Sequence, residues 1–342
     1  MALVTAFQKK KMTDKPQHND QLLAEALPEG VVFLNSDCCI TGCNEIAKDL
    51  LGFEMGSYLQ RHLSEVLDKK LFLRLEIESS LEVTLAHKPS QYLLMNLRPY
   101  AGDQFLLLVR DVTLTHNLES MRKVFVANVS HELRTPLTVF QGYLELLKDA
   151  SDLTKAQLTE IIEHMDSQAT RMHQLVEDLL LLSRLENVEP DPERQQAVPV
   201  ASMLRNIRDD AVSLSGKKQH TFILELDETL TLVADPEELR SAFSNLVYNA
   251  VHYTPAGGNI TIRWYTQGNE KYMEVEDTGI GIDTKHIPRV TQRFYRVDKA
   301  RSSAAGGTGL GLALVKHVLL RHHGDLEIES ELGKGSLFRC IF

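Results

Sequence analysis

The chain has 342 residues, 43% of them apolar and 25% charged, enough apolar material for real cores and for two or three domains, which excludes whole-chain disorder. Lys+Arg 37 against Asp+Glu 47 leaves a formal charge of -10; nucleic acid is excluded as the main partner, because phosphate backbones are held by clustered Lys and Arg, while a single nucleotide in a local pocket is not. Cys38, Cys39 and Cys43 crowd one turn but have no second ligand cluster at zinc spacing, so they are small reduced thiols rather than a disulfide framework or a metal site.

The first residues, Met1 to Phe7, are apolar and precede Lys9, Lys10 and Lys11. That is the pattern of the cytoplasmic exit of a membrane helix, and equally of an ordinary frayed terminus. No run reaches the roughly 18 apolar residues that a spanning helix needs. From about Leu22 to Val112, short β-rich runs alternate with polar turns: Val31–Leu34, Tyr92–Leu97 and Phe105–Val109, the last two separated by Ala101-Gly-Asp103. This predicts a small antiparallel sheet with helices to one side. The expected organisation is a tail over 1–19, a sensor domain over 20–112, a helical domain over 113–188 and an α/β domain over 196–342.

In the helical region Leu158, Ile162, Met165, Ala169, Met172, Val176 and Leu179 alternate spacings of four and three. Such a seam wants a partner helix, and Phe125, Val129, Leu133, Leu137, Phe140, Leu144 and Leu147 supply one, with a loop near Asp149 to Thr154. Two helices cannot enclose a four-helix core, so two chains are expected to pair. On the first helix His131 lies roughly opposite Val129 and Leu133, and Thr135 and Asn128 return to its side. An imidazole thus projects into water beside a carboxylate and a hydroxyl. Glu132 is placed to hold the Nδ1 proton and leave Nε2 free to attack. Pro136 cannot donate to the carbonyl of Glu132, which predicts a local bend or loosening. Taken alone, an exposed helical histidine is also simply a solvated residue.

Beyond the linker Glu189-Pro-Asp-Pro192, Asp235-Pro-Glu-Glu238 opens a helix with an acidic cap and proline in the first turn. Asn245 and Asn249, four apart, offer amide oxygens to a hard cation and NH2 groups to phosphate, though such pairs also serve as plain hydrogen-bonded pairs. Asp277, with Gly279 and Gly281, ends a strand where a carboxylate can accept an amino proton from a base. Gly307-Thr308-Gly309-Leu310-Gly311 runs straight into an apolar helix, and free N–H groups at such an N-terminus make an anion site. The stretch Lys299 to Ala305 before it has the composition of a lid or a linker. Dinucleotide, P-loop and protein-kinase strings are absent.

The string Ser130-His-Glu-Leu-Arg-Thr-Pro136 resembles the H box of the sensor histidine kinases of two-component systems. Asn245/Asn249, Asp277-x-Gly-x-Gly281, Phe294-Tyr-Arg296, Gly307-x-Gly-x-Gly311 and Gly333-Lys-Gly335 resemble, in order, the N, first-glycine, F, second-glycine and third-glycine boxes of that family's ATP-binding domain. Leu27–Val32, Asn44 and Arg110–Thr113 look like a PAS domain. Phe125–Thr138, Asn245–Val251 and Arg293–Arg301 resemble the branch of the family that serves phosphate regulons.

The resemblance implies an α+β multidomain protein. It comprises a PAS-like sensor domain, a dimeric helical-hairpin phospho-acceptor domain forming a four-helix bundle, and an α/β-sandwich ATPase domain. It implies that His131 is autophosphorylated from ATP, that Glu132 assists, and that Thr135 orients the water that later hydrolyses a phosphorylated partner. ATP contacts are then carried by Asn245, Asn249, His252, Tyr253, Asp277, Gly279, Gly281, Phe294, Arg296, Gly307, Thr308, Gly309, Leu310 and Gly311, with Asn249 the Mg²⁺ ligand. His252 stands where many relatives carry a lysine, which leaves a fixed charge there open. The implied partners are a second copy of the chain, a response regulator of the phosphate-regulon type and phosphate-transport regulatory proteins. The family is anchored at the cytoplasmic face of the inner membrane by N-terminal helices that this sequence lacks, so the expectation is a truncated start or a soluble, cytoplasmic form. A conformational clamp of the same ATPase superfamily without phosphotransfer is the alternative; a third is a non-enzymatic scaffold.

Overall fold

The computed structural model describes residues 18–53, 58–67, 69–78, 80–100, 102–148, 154–297 and 308–342. The first residues to 17, the interhelical loop at 149–153, and the lid stretch with Gly307 lie outside them. The chain forms two compact units that divide between Val124 and Phe125.

In the first unit β1 (Gly30–Leu34), β2 (Ile40–Cys43), β3 (Ser80–Leu85), β4 (Lys88–Tyr100) and β5 (Gln104–Asp111) form an antiparallel sheet in the order β2-β1-β5-β4-β3. The helices are α1 (His18–Glu25), α2 (Glu45–Leu51), α3 (Leu63–Val66) and α4 (Lys69–Glu78). Val32, Leu34, Leu93, Met95, Leu107 and Val109 bury one sheet face with Leu50 and Leu75, while Val31 and Phe33 alternate to the other side with Ala24. The fully buried Asn44 ties these pieces together. Its Oδ1 accepts from the Val31 and Ala47 amides at 2.9 Å, capping α2, and its Nδ2 donates to the Ala24 and Glu29 carbonyls at 2.8 Å. At the far end of β5 the Asp111 carboxylate accepts from the Thr113 amide at 2.8 Å and opens α5 (Thr113–Lys148).

In the second unit α5, from Phe125 onward, and α6 (Lys155–Asn187) form a hairpin stalk. Thr154 and Gln157 close a capping box at the start of α6. Then follow β6 (Gln196–Pro199), α7 (Val200–Ser215), β7 (Thr221–Leu226), β8 (Thr231–Ala234), α8 (Pro236–Tyr253), β9 (Asn259–Gln267), β10 (Glu270–Asp277), α9 (Gly311–Arg321), β11 (Asp325–Glu331) and β12 (Gly335–Ile341). The main sheet runs β11-β12-β10-β9-β7, with only β7 and β9 parallel among these pairs; β6 and β8 form a separate ribbon. One sheet face is apolar (Ile260, Ile262, Trp264, Met273, Val275 and Phe338) and packs against α7, α8 and α9 through Leu204, Phe243, Leu246, Val315 and Val318. The opposite face carries an ionic ladder: Arg263 meets Glu225 and Glu276 at 2.7 Å, and Arg339 meets Glu274 at 2.6 Å, Glu327 at 2.9 Å and Glu329 at 3.1 Å.

The seam expected on the stalk is only partly covered in one chain. Leu158, Ile162, Val176, Leu137 and Leu144 are exposed, and the buried residues of α6 are Ile161, Leu175, Asp178 and Leu182. Two helices alone leave one flank of such a seam open. Among the described residues no helix is long and apolar enough to cross a membrane.

Phe243 is fully buried and meets the Phe342 ring edge-on at 6.2 Å. Phe243→Ala is expected to destabilise the second unit by about 3–5 kcal/mol, the usual cost of deleting a buried ring, seen as a lower urea midpoint.

Candidate active site: an exposed histidine and a glycine-lined cradle

His131 is exposed on α5. Thr135, one turn on, donates its hydroxyl to the His131 carbonyl at 3.1 Å, and the Ser130 and Thr138 hydroxyls bond back to Val126 and Arg134 at 2.8 and 3.0 Å. Such back-bonds compete with the helix ladder, as does Pro136. The helix nevertheless continues through Pro136, which is buried.

Glu132 is not turned to His131. Its Oε2 accepts from Arg171 of α6 at 3.1 Å, and its Oε1 lies 3.9 Å from Arg296. The expectation that it holds the His131 Nδ1 proton is therefore corrected for this arrangement. Adjacent helical residues point about 100° apart, and two guanidinium groups attract a carboxylate more strongly than a neutral imidazole does.

The cradle begins with α8. Asp235 caps it by accepting from the Glu237 and Glu238 amides, with Pro236 in the first turn, as expected. Asn245 and Asn249 are half-buried; Asn245 donates Nδ2 to the Ser241 carbonyl at 2.9 Å. Its Oδ1 lies against Gly311, where an added Cβ would come within 2.3 Å. The absence of a side chain at Gly311 is thus what lets the N-terminus of α9 approach the asparagine. At the other end of α8, Lys218 donates Nζ to the Val251 and His252 carbonyls at 2.9 Å. Burial, and then the Lys218 charge, hold the His252 imidazole below its ordinary pKa. Its surroundings thus disfavour the charged imidazole. Tyr253 beside it is partly exposed, and its carbonyl accepts from the Ile280 amide at 3.2 Å.

Asp277, 6% exposed at the end of β10, accepts from the Gly279 amide at 2.7 Å. Burial outweighs this bond and that from the Ser336 amide, and pushes its pKa up to about 6. The neighbouring glycines are close backbone approaches. A Cβ at Gly281 (φ 66°) would sit 2.0 Å from the Glu331 carbonyl oxygen, and one at Gly335 (φ 126°) would sit 1.9 Å from that of Asp277.

Three of the expected nucleotide contacts are engaged with the stalk instead. The Thr308 hydroxyl donates to Asp178 of α6 at 3.2 Å; Leu310, fully buried, packs with Leu314 against Leu175 and Leu182; Phe294 tilts onto Phe125 with ring centres 5.7 Å apart. Gly309 (φ 73°) accepts from the Phe294 amide at 2.8 Å and has no room for a Cβ beside the Phe294 backbone. Arg296 faces both ways: it reaches Glu132, and its charge partly offsets the burial that raises the Tyr253 pKa. Asp178 and Arg171 were not among the expected functional residues. Asp178 is buried among leucines, which raises its pKa against the bonds from Gln174 and Thr308. Only the two charges Glu177 and Asp178, interrupting the apolar run from Leu175 to Leu182, hinted at it.

The chain is 45% identical over 321 residues to the phosphate regulon sensor protein PhoR of Pseudomonas aeruginosa, a match covering 93% of this chain and 72% of that protein. Its counterpart in Haemophilus influenzae is 34% identical over 318 residues, covering 92% and 74%. The chain belongs to the PhoR-like sensor histidine kinases. Family models agree module by module: the His Kinase A (phospho-acceptor) domain matches residues 121–188, and the histidine kinase-, DNA gyrase B-, and HSP90-like ATPase matches 234–342. The kinase is thus an ATP-dependent histidine kinase of a two-component system, which supersedes the clamp without phosphotransfer. Among solved structures, histidine kinase ThkA in complex with response regulator protein TrrA shares the fold, with a TM-score of 0.51 at 20% identity over 94% of this chain and 97% of that one.

Two outcomes follow from the cradle. Gly311→Ala forces a methyl onto Asn245 and is expected to weaken ATP binding by about tenfold or more, the scale of 1.4 kcal/mol, in a fluorescent-nucleotide titration, with the melting curve nearly unchanged. Asp277 holds its proton longer folded than unfolded, from 3.8 to about 6. Its contribution to stability is therefore present at low pH and lost as pH rises through about 6, leaving a cost of roughly 2–3 kcal/mol above that. Asp277→Asn is expected to raise the melting temperature of the nucleotide-free kinase at pH 8 more than at pH 5, while ATP affinity falls.

Proposed function

We propose that this kinase phosphorylates itself on His131 Nε2 and passes the phosphoryl group to an aspartate of a response regulator of the phosphate-regulon type. The bond that forms is Nε2–Pγ, and the one that breaks joins Pγ to the bridging oxygen, releasing ADP. The observation that carries the reading is the exposed imidazole of His131 on the stalk of the same compact unit that holds the Asn245–Gly311–Asp277 cradle. The carboxylate of Asp277 suits the amino group of adenine, and the α9 N-terminus suits phosphates. Asn249 offers a hard oxygen to Mg²⁺, which keeps most of its ligands as waters and phosphate oxygens.

Removal of the phosphoryl group from the regulator belongs to the same proposal. Thr135, exposed one turn from His131, is suited to orient the water. The apolar flank left open on α5 and α6 supports pairing of two stalks into a four-helix bundle. The antiparallel five-stranded sheet of the first unit, with three helices between β2 and β3, supports a PAS-like sensor. Phosphate-transport regulatory proteins are further proposed partners, and the cytoplasmic face of the inner membrane is the proposed place of action.

His131→Ala is expected to abolish acid-labile labelling from [γ-³²P]ATP while ATP still binds with unchanged affinity; labelling that persists in the variant overturns the assignment of the acceptor.

A further inference from the structure

Helix α9 carries the glycine cradle at its first turn, and a second set of contacts at its last. Along one face, Leu310, Leu314, His317 and Arg321 follow spacings of four, three and four, and each meets the C-terminal part of the stalk or the chain leaving it. Leu310 and Leu314 pack on Leu175 and Leu182; His317 Nε2 lies 3.3 Å from Glu186; Arg321 reaches the linker. The guanidinium of Arg321 donates Nη1 to the Val188 carbonyl at 2.5 Å and Nη2 to the Glu189 carbonyl at 2.9 Å. Its Nε points at Glu238 Oε1, 3.3 Å away, and His322 Nε2 lies 3.2 Å from the other oxygen of Glu238. The side chains of Arg321, Glu238 and His322 are all nearly buried.

These contacts fall where α6 stops. Val188 is its C-cap, whose carbonyl a helix end leaves without an intrahelical donor, and Glu189 is the first residue of the linker beyond it. A few residues later Arg194 meets Asp235 at 3.2 Å and Glu237 at 2.5 Å, which fastens the far end of the linker to the start of α8. Between the two fastenings lie Pro190 and Pro192, beside a cavity of about 100 Å³ lined by Arg184, Val188, Arg194 and Arg321. A planar fork with several donors can hold two carbonyls and a carboxylate at once; an ammonium group cannot match that geometry.

We propose that Arg321, oriented by Glu238, is a positioning residue that clasps the interdomain linker and holds the ATP-binding domain in the docked pose seen here. In that pose Glu132 is tied to Arg171 and Arg296, and Thr308 to Asp178. The clasp thus favours the resting state over autophosphorylation. Because α9 is one helix of 11 residues, about 16 Å long, a shift of its cradle end is passed on to the clasp. The inference rests on the kinase reading of His131.

The test uses the full chain as its natural assembly. Arg321→Met, which removes two charge-assisted hydrogen bonds to the linker, is expected to raise the initial rate of autophosphorylation by about tenfold or more, with nucleotide affinity unchanged. Hydrogen exchange of the amides at 188–195 speeds up, while the sheet amides of β9 and β10 stay protected. Arg321→Lys restores the parent rate only in part. Glu238→Gln, which removes the orienting charge without touching the linker, shifts the rate in the same direction by less. A rate equal to or below the parent's in both Arg321→Met and Glu238→Gln overturns the clasp, as does unchanged exchange in the linker. Absence of label in the parent kinase itself counts instead against the reading of His131.

Discussion

Everything in the second unit turns on the packing of α9, which has different demands on its two flanks. On one side Gly311 leaves no space between the helix and Asn245. On the other, Leu310 and Leu314 are fully withdrawn from water by the stalk leucines. A fully buried leucine contributes about 1.5–3 kcal/mol, so this docked contact is worth a few kcal/mol. That is the scale on which ligands shift two-state equilibria. A larger apolar interface would hold the domain permanently against the stalk, and a smaller one would not hold it at all.

Polar groups decide the register of that contact. Asp178 is a carboxylate among leucines, an arrangement that costs free energy unless its oxygens are bonded. Gln174 supplies one bond from its own helix and Thr308 the other from the ATP-binding domain. Sliding α9 by a turn would leave the carboxylate short of a donor. Glu132 plays a related part nearer the histidine, with Arg171 on the stalk and Arg296 on the opposing domain as its two cations. The acid beside the acceptor is thereby shared between the two modules.

What was legible in the sequence was local. The Asp235 cap, the asparagine pair one turn apart, the glycines beside Asp277 and the projection of His131 all depend on residues within a few positions of one another, and the structure places each as its spacing implies. What was not legible joins distant parts of the chain. Thr308 and Leu310 lie inside a glycine-rich string that suits phosphate, yet their partners are more than a hundred residues earlier on α6. Nor does any periodicity reveal that Glu132 prefers Arg171 to its neighbour His131, since that choice depends on the distance between two helices. The stalk seam was visible as a pattern, but which of its residues a single chain covers is a matter of tertiary packing.

The ionic ladder on the outer face of the main sheet bears on how this domain can travel. Arg263 and Arg339 are each satisfied by several glutamates of neighbouring strands, so that surface is already wet and self-contained. Beside the ions it carries Ile223 and the stacked Tyr265 and Tyr272 rings, a small apolar area set among charges. When the domain leaves the stalk, the hydrophobic area that its own surface newly shows to solvent is therefore the strip around Leu310, Leu314 and Phe294, while the outer face of the sheet travels as an already hydrated surface.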